Sequence, residues 1–165
     1  QIGIRSTAYD KEDHDFAKSV GIKIIMIEEF FERGIKDVMV EARDIVGNKP
    51  TYISYDIDFV DPTFAPGTGT PEVGGPNSFQ AIQVVRELDG VDIVGADLVE
   101  VSPPFDPNGG TAWLGVSIMF ELLCIMAKNI SDKNHNEYIN LHTKAPKFWN
   151  KYHRRNPKYN CQRNP

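Results

Sequence analysis

Short β-branched runs alternate with segments of helical period along most of this chain, and that order restricts the folds open to it. Residues 1–5 read as a strand. Asp10 is placed to cap a helix that continues to about Val20 and stops at Gly21. Residues 22–27 form a second β-branched run. Ile35, Val38, Met39, Ala42, Ile45 and Val46 then recur at helical spacing and end at Gly47. Residues 51–55 are the third strand. Asn77 or Ser78 opens a helix with Phe79, Ile82 and Val85 on its inner face. Residues 91–99 are the fourth strand, and a long apolar helix covers about 111 to 128. Repeated β-then-α order predicts a parallel, three-layer α/β/α sheet. In sheets of that kind ligands bind beyond the carboxyl ends of the strands.

Chemistry-bearing residues fall at those ends. Ser54-Tyr55-Asp56-Ile57-Asp58 closes an apolar run, and a Pro/Gly-rich loop follows from Asp61-Pro62 to Gly74-Gly75. Side chains two apart on an ideal strand share one face, so Asp56 and Asp58 are expected to point the same way. Two hard oxygen donors suit Mn²⁺ or Mg²⁺ better than Zn²⁺. Asp followed by Pro and Gly is also ordinary turn chemistry, so the pair alone leaves both readings open. Glu100 ends the fourth strand, in Asp97-Leu98-Val99-Glu100-Val101-Ser102-Pro103. A carboxylate there can take a planar guanidinium through two parallel hydrogen bonds, or can be satisfied by a neighbouring Lys or amide.

Residues 54–75 resemble, position for position, the signature segment of the ureohydrolases, the arginase/agmatinase family of binuclear manganese enzymes. The matching positions are Ser54, Tyr55, Asp56-Ile57-Asp58, Pro62, Pro66-Gly67 and Gly75. The segment around Glu100 is similar to the last block of the same family. From Arg5 to about Ala127 the chain looks closest to the agmatinase branch, by Gly67-Thr68-Gly69-Thr70-Pro71-Glu72 and the Glu100 block. The resemblance implies an arginase-like fold, incomplete at its N-terminal side. It implies that Asp56 bridges two Mn²⁺ ions, that Asp58 binds one, and that Glu100 is the catalytic and substrate-binding residue that holds the guanidinium. It implies hydrolysis of agmatine to putrescine and urea, with two metals activating the water, or of guanidinobutyrate or another guanidino acid. A trimer or hexamer in a mitochondrial or cytoplasmic setting would follow from the family.

The family pattern is present only in part. Six metal ligands, two His and four Asp, are spread over three motifs, and neither Gly-Gly-Asp-His nor Asp-Ala-His-x-Asp occurs here. His14, His135, His142 and His153 stand in neither context and inherit no ligand role. The chain is therefore expected to be the C-terminal part of a longer protein, with the other ligands upstream and this fragment alone inactive. A competing expectation is a non-catalytic module that acts in subunit assembly.

Charge divides the chain. Residues 1–128 hold 10 basic and 21 acidic residues, whereas 129–165 hold 8 basic and 2 acidic, so the body is near −11 and the tail near +6. Phe148, Trp149 and Tyr152 interleave the tail. Such a composition can touch nucleic acid or a membrane surface, but a disordered extension beside an acidic body explains it as well. We expect 1–128 to be part of the ureohydrolase domain and 129–165 a disordered tail, with neither nucleic acid nor membrane as partner. No apolar run approaches the roughly 20 residues of a membrane span. Cys124 and Cys161 are too few for a disulfide framework. Gly67-Thr68-Gly69 is no dinucleotide fingerprint, because Glu72 takes the third glycine's place.

Overall fold

The computed structural model describes residues 1–5 and 11–144. In chain order it has β1 (Ile2–Ile4), α1 (Lys11–Ser19), β2 (Ile25–Met26), α2 (Ile27–Arg33), α3 (Ile35–Val46), β3 (Thr51–Asp56), α4 (Ser78–Arg86), β4 (Ile93–Val99) and α5 (Gly110–Lys144). Strand β1 pairs in parallel with β2, and β3 with β4. A parallel pair needs a crossover, and a helix lies in each connection, as the alternation predicts. Residues 1–129 form one compact unit, and Ile130–Pro165 separates as a second. The described part of the second unit is the last turns of α5. Residues 145–165 lie outside the described residues, and with them Phe148, Trp149, Tyr152, His153, Cys161 and most of the expected tail.

Two apolar clusters carry the first unit. Ile57, Val60, Ala81, Val85, Ile118 and Leu122 belong to one, and Ile25, Phe30, Val38, Met39 and Val84 to the other. Helix α4 begins with a reciprocal cap: Asn77 Oδ1 accepts the Gln80 N–H at 2.9 Å while Gln80 Oε1 accepts the Asn77 N–H at 3.0 Å. Helix α3 stops at Gly47, which takes φ +58.

Three expectations are corrected. The β-branched run 22–27 gives only a two-residue strand, because Ile27 and Phe30 bury as an i, i+3 pair on α2. On α4 the buried residues are Ala81, Val84 and Val85, and Phe79 faces outward. Helix α5 is longer than 111–128, and its stretch Gly110–His135 is long and apolar enough to cross a membrane by length and composition. Thr111, Ser117 and Glu121 break up the apolar run and hide that length from a reading of consecutive residues. Leu114, Ile118, Leu122 and Ile125 of this helix are buried in the core, as a core helix requires.

The two sheets do not hydrogen-bond to each other. A cavity of about 530 Å³ lies where β1 and β3 approach, lined by Gln1, Ile2 and Ile4 on one side and by every residue of β3 on the other. Asp56, at the end of β3, is one of these lining residues.

Candidate active site

Strand β3 ends at Asp56. Asp58 lies in a single 3₁₀ turn, Ile57–Phe59, so the pair is not aligned by strand pleating as the sequence reading had it. The turn links the two residues through a local hydrogen bond instead. Asp56 Oδ1 accepts the Asp58 N–H at 2.9 Å, an Asx-type closure, and Ile57 between them is fully buried and anchors the turn. Asp56 is exposed and Asp58 half-buried.

The loop that follows folds back onto Asp58. Thr68 Oγ1 donates to Asp58 Oδ1, and Thr70 Oγ1 donates to Asp58 Oδ2 at 2.7 Å. Each carboxylate oxygen has two lone-pair directions, so both keep capacity to bind a cation. The loop is itself pinned. Gly67 N–H donates to the fully buried Thr111 Oγ1 at 2.8 Å, Ser102 N–H donates to Gly67 O at 2.8 Å, and Thr68 bridges to Val101. A Cβ on Gly67 would stand 2.3 Å from the Asp106 Cβ, so only glycine fits there. Asp106 accepts the N–H groups of Thr111 and Ala112 at the start of α5. Those bonds hold its carboxyl below the usual range, the Ala112 N–H most of all. Thr68, Thr70 and Thr111 escaped the sequence reading. For Thr68 and Thr70 the Gly67-Thr68-Gly69-Thr70 alternation was the visible signal; Thr111 stands outside it.

Glu100 enters through strand register. Asp56 faces Val99 across the β3–β4 ladder, and Glu100 is the next residue. It is exposed and has φ +68, the one non-glycine with positive φ among the described residues. A left-handed conformation costs an L-residue about 1–2 kcal/mol, and such strain persists where the surroundings impose it. Asp56 registers this neighbourhood. Partial desolvation, then the like charges of Asp58 and Glu100, push its carboxyl above the usual range, against the Asp58 N–H and Arg5.

The donor chemistry fits a hard divalent ion, with two carboxylates two residues apart at a strand end that repel each other when charged. Among the described residues no three His, Cys, Asp or Glu side chains converge on one metal position, so Glu100 stands apart from the Asp56–Asp58 pair as a ligand. His135 is exposed on α5; the side chains of His14 and His142 are outside the described set.

Residues 1–124 match the model of the arginase family. The guanidinopropionase of Pseudomonas aeruginosa is 57% identical over 129 residues, covering 78% of this chain and 41% of that protein. The guanidinobutyrase of the same organism is 44% identical over 126 residues, which is 76% of this chain and 40% of that protein. The mitochondrial agmatinase of Gallus gallus is 43% identical, covering 76% and 37%. Among solved structures, the proclavaminate amidino hydrolase of Streptomyces clavuligerus superposes with a TM-score of 0.71 at 41% identity, covering 77% of this chain and 41% of that one. The Bacillus caldovelox arginase gives a TM-score of 0.66 at 34% identity, covering 73% and 41%. The chain thus spans about two fifths of the length of the relatives it matches. Its α/β architecture with parallel strands is that of the arginase fold, and the chain belongs to the arginase family.

Proposed function

We propose that the protein containing this chain hydrolyses a guanidino compound to urea and an amine, with Asp56 and Asp58 as metal ligands and Glu100 as the guanidinium-binding residue. The observation that supports it best is the β3–β4 register, which sets Glu100 one residue beyond the partner of Asp56. Bound divalent ions, Mn²⁺ by family, would supply activation of water toward a poorly electrophilic carbon. The residues of this chain do the rest. Asp56 and Asp58 offer preset oxygens, their mutual repulsion making a cation welcome. The Thr68 and Thr70 hydroxyls fix the Asp58 carboxylate. Glu100 would accept two parallel N–H···O bonds along one edge of the guanidinium, in its plane, orienting its carbon toward the metal side.

Agmatine is the substrate expected from the Gly-Thr-Gly-Thr-Pro-Glu segment. A second reading, a guanidino acid, is favoured by the higher identity to the guanidinopropionase (57%) than to the chicken agmatinase (43%). Assay of the intact protein with agmatine, guanidinobutyrate and guanidinopropionate in the presence of Mn²⁺ separates the two. Asp56→Asn is expected to abolish urea release from whichever substrate is turned over. Near-normal turnover by that variant would refute the assignment, and no urea from any guanidino compound would favour an assembly role instead.

A further inference from the structure

We propose that Arg5, just beyond β1, is a positioning residue for Asp58; this rests on the reading of Asp58 as a metal ligand. The five hydrogen bonds described for its guanidinium all end on backbone carbonyls. Nη2 donates to Asp58 O and to Glu72 O, each at 2.6 Å; Nε donates to Val73 O at 3.1 Å and Glu72 O at 3.3 Å; and Nη1 donates to Gly3 O at 3.4 Å. The cation thus clamps the first residue of the Asp58–Gly75 loop to its far end. That loop is the one whose Thr68 and Thr70 hold the Asp58 carboxylate. Arg5 therefore fixes Asp58 twice, directly at its backbone and indirectly through the segment that orients its side chain.

Neighbouring residues are shaped around this clamp. A Cβ on Gly75 would stand 2.8 Å from Arg5 Nη2, 2.5 Å from Phe59 O and 2.7 Å from Asp61 N, so glycine at 75 leaves room for the guanidinium. Asp61 closes the same loop from the other side. Its N–H donates to Pro76 O at 3.0 Å, and its Oδ2 accepts the Gly74 N–H at 2.8 Å. A planar fork with donors on both edges can reach carbonyls from residues 3, 58, 72 and 73 together. A Lys ammonium on a flexible stem cannot.

The test compares Mn²⁺ binding to the intact protein, by titration followed through the Mn²⁺ electron paramagnetic resonance signal, in wild type, Arg5→Met, Arg5→Lys and Asp58→Asn. Proteolytic cleavage within 62–75 is followed in parallel. Both Arg5 variants are expected to bind Mn²⁺ at least tenfold more weakly and to be cut faster in the loop. Their kcat is expected to recover at saturating Mn²⁺, whereas that of Asp58→Asn stays low. Wild-type Mn²⁺ affinity in the Arg5 variants, with Asp58→Asn weakened, would overturn the proposal and leave the metal reading intact. Equal binding by wild type and Asp58→Asn would remove the metal reading, and this inference with it. Should Arg5→Met fail to fold, Arg5→Lys decides, because it keeps the charge and most of the volume.

Discussion

Replacing Thr111 tests whether the loop over Asp58 is held from the start of α5. Its hydroxyl accepts the Gly67 N–H at 2.8 Å and donates to Asp106, and the residue is fully buried. Thr111→Val keeps β-branching and near-equal volume but replaces the hydroxyl by a methyl, so it removes both the acceptor for Gly67 and the donor to Asp106. The Gly67 N–H is then left buried without an acceptor, which costs about 1–3 kcal/mol. Because 1.4 kcal/mol is a tenfold change, protection of the Gly67 amide against hydrogen exchange should fall roughly 5- to 150-fold. Thr111→Ser retains the oxygen and loses one methyl, at a cost of about 0.5–1.5 kcal/mol spread over the core, without specific exposure of Gly67. Amide-resolved exchange on the intact protein reads both. Unchanged Gly67 protection in Thr111→Val, or an equal loss in Thr111→Ser, would refute the link. Thr68 is the next residue and donates to Asp58, so, with Asp58 as the proposed metal ligand, Thr111→Val should also weaken divalent-ion binding.

Three further outcomes follow from the site. Glu100→Gln keeps the left-handed backbone and removes the charge, so turnover should collapse with stability unchanged. Glu100→Asn suits the φ of +68 better and should be inactive yet about 0.5–1 kcal/mol more stable in urea unfolding; a destabilised Asn variant would show that the strain is not there. Asp56 has its carboxyl pushed up in the folded state, so its charge opposes folding above that raised value. In metal-free protein Asp56→Asn should therefore be the more stable form near neutral pH. Its advantage should shrink as pH falls through the raised value toward the ordinary one, where wild-type Asp56 becomes protonated. A pH-independent difference between the two urea midpoints would contradict this.

Much of the fold was legible along the chain. The helix closing at Gly47, the Asn77 cap and the β-α order depend on interactions within a few residues, so the sequence carries them openly. The run 22–27 does not reveal where its strand ends, because β-branched residues satisfy strand and buried helix alike and only packing around Phe30 chooses. Asp56, Asp58 and Glu100 were visible as residue types at strand ends. How Asp56 and Asp58 are linked was not, because the link is a 3₁₀ turn with Ile57 buried at its centre and the Asp58 N–H donating to Asp56 Oδ1.

The sequence on its own supplied the parallel α/β order and the candidate side chains Asp56, Asp58 and Glu100 at or just beyond strand ends. Tertiary structure alone decided what holds them. The register brought Glu100 beside the Asp56 strand end, the loop brought Thr68 and Thr70 onto Asp58, and Arg5 reached residues 67 and 68 positions away. The physical reason is separation. Caps and turns are set by neighbours a few bonds away, whereas these contacts exist only once the chain has closed long loops around a shared core.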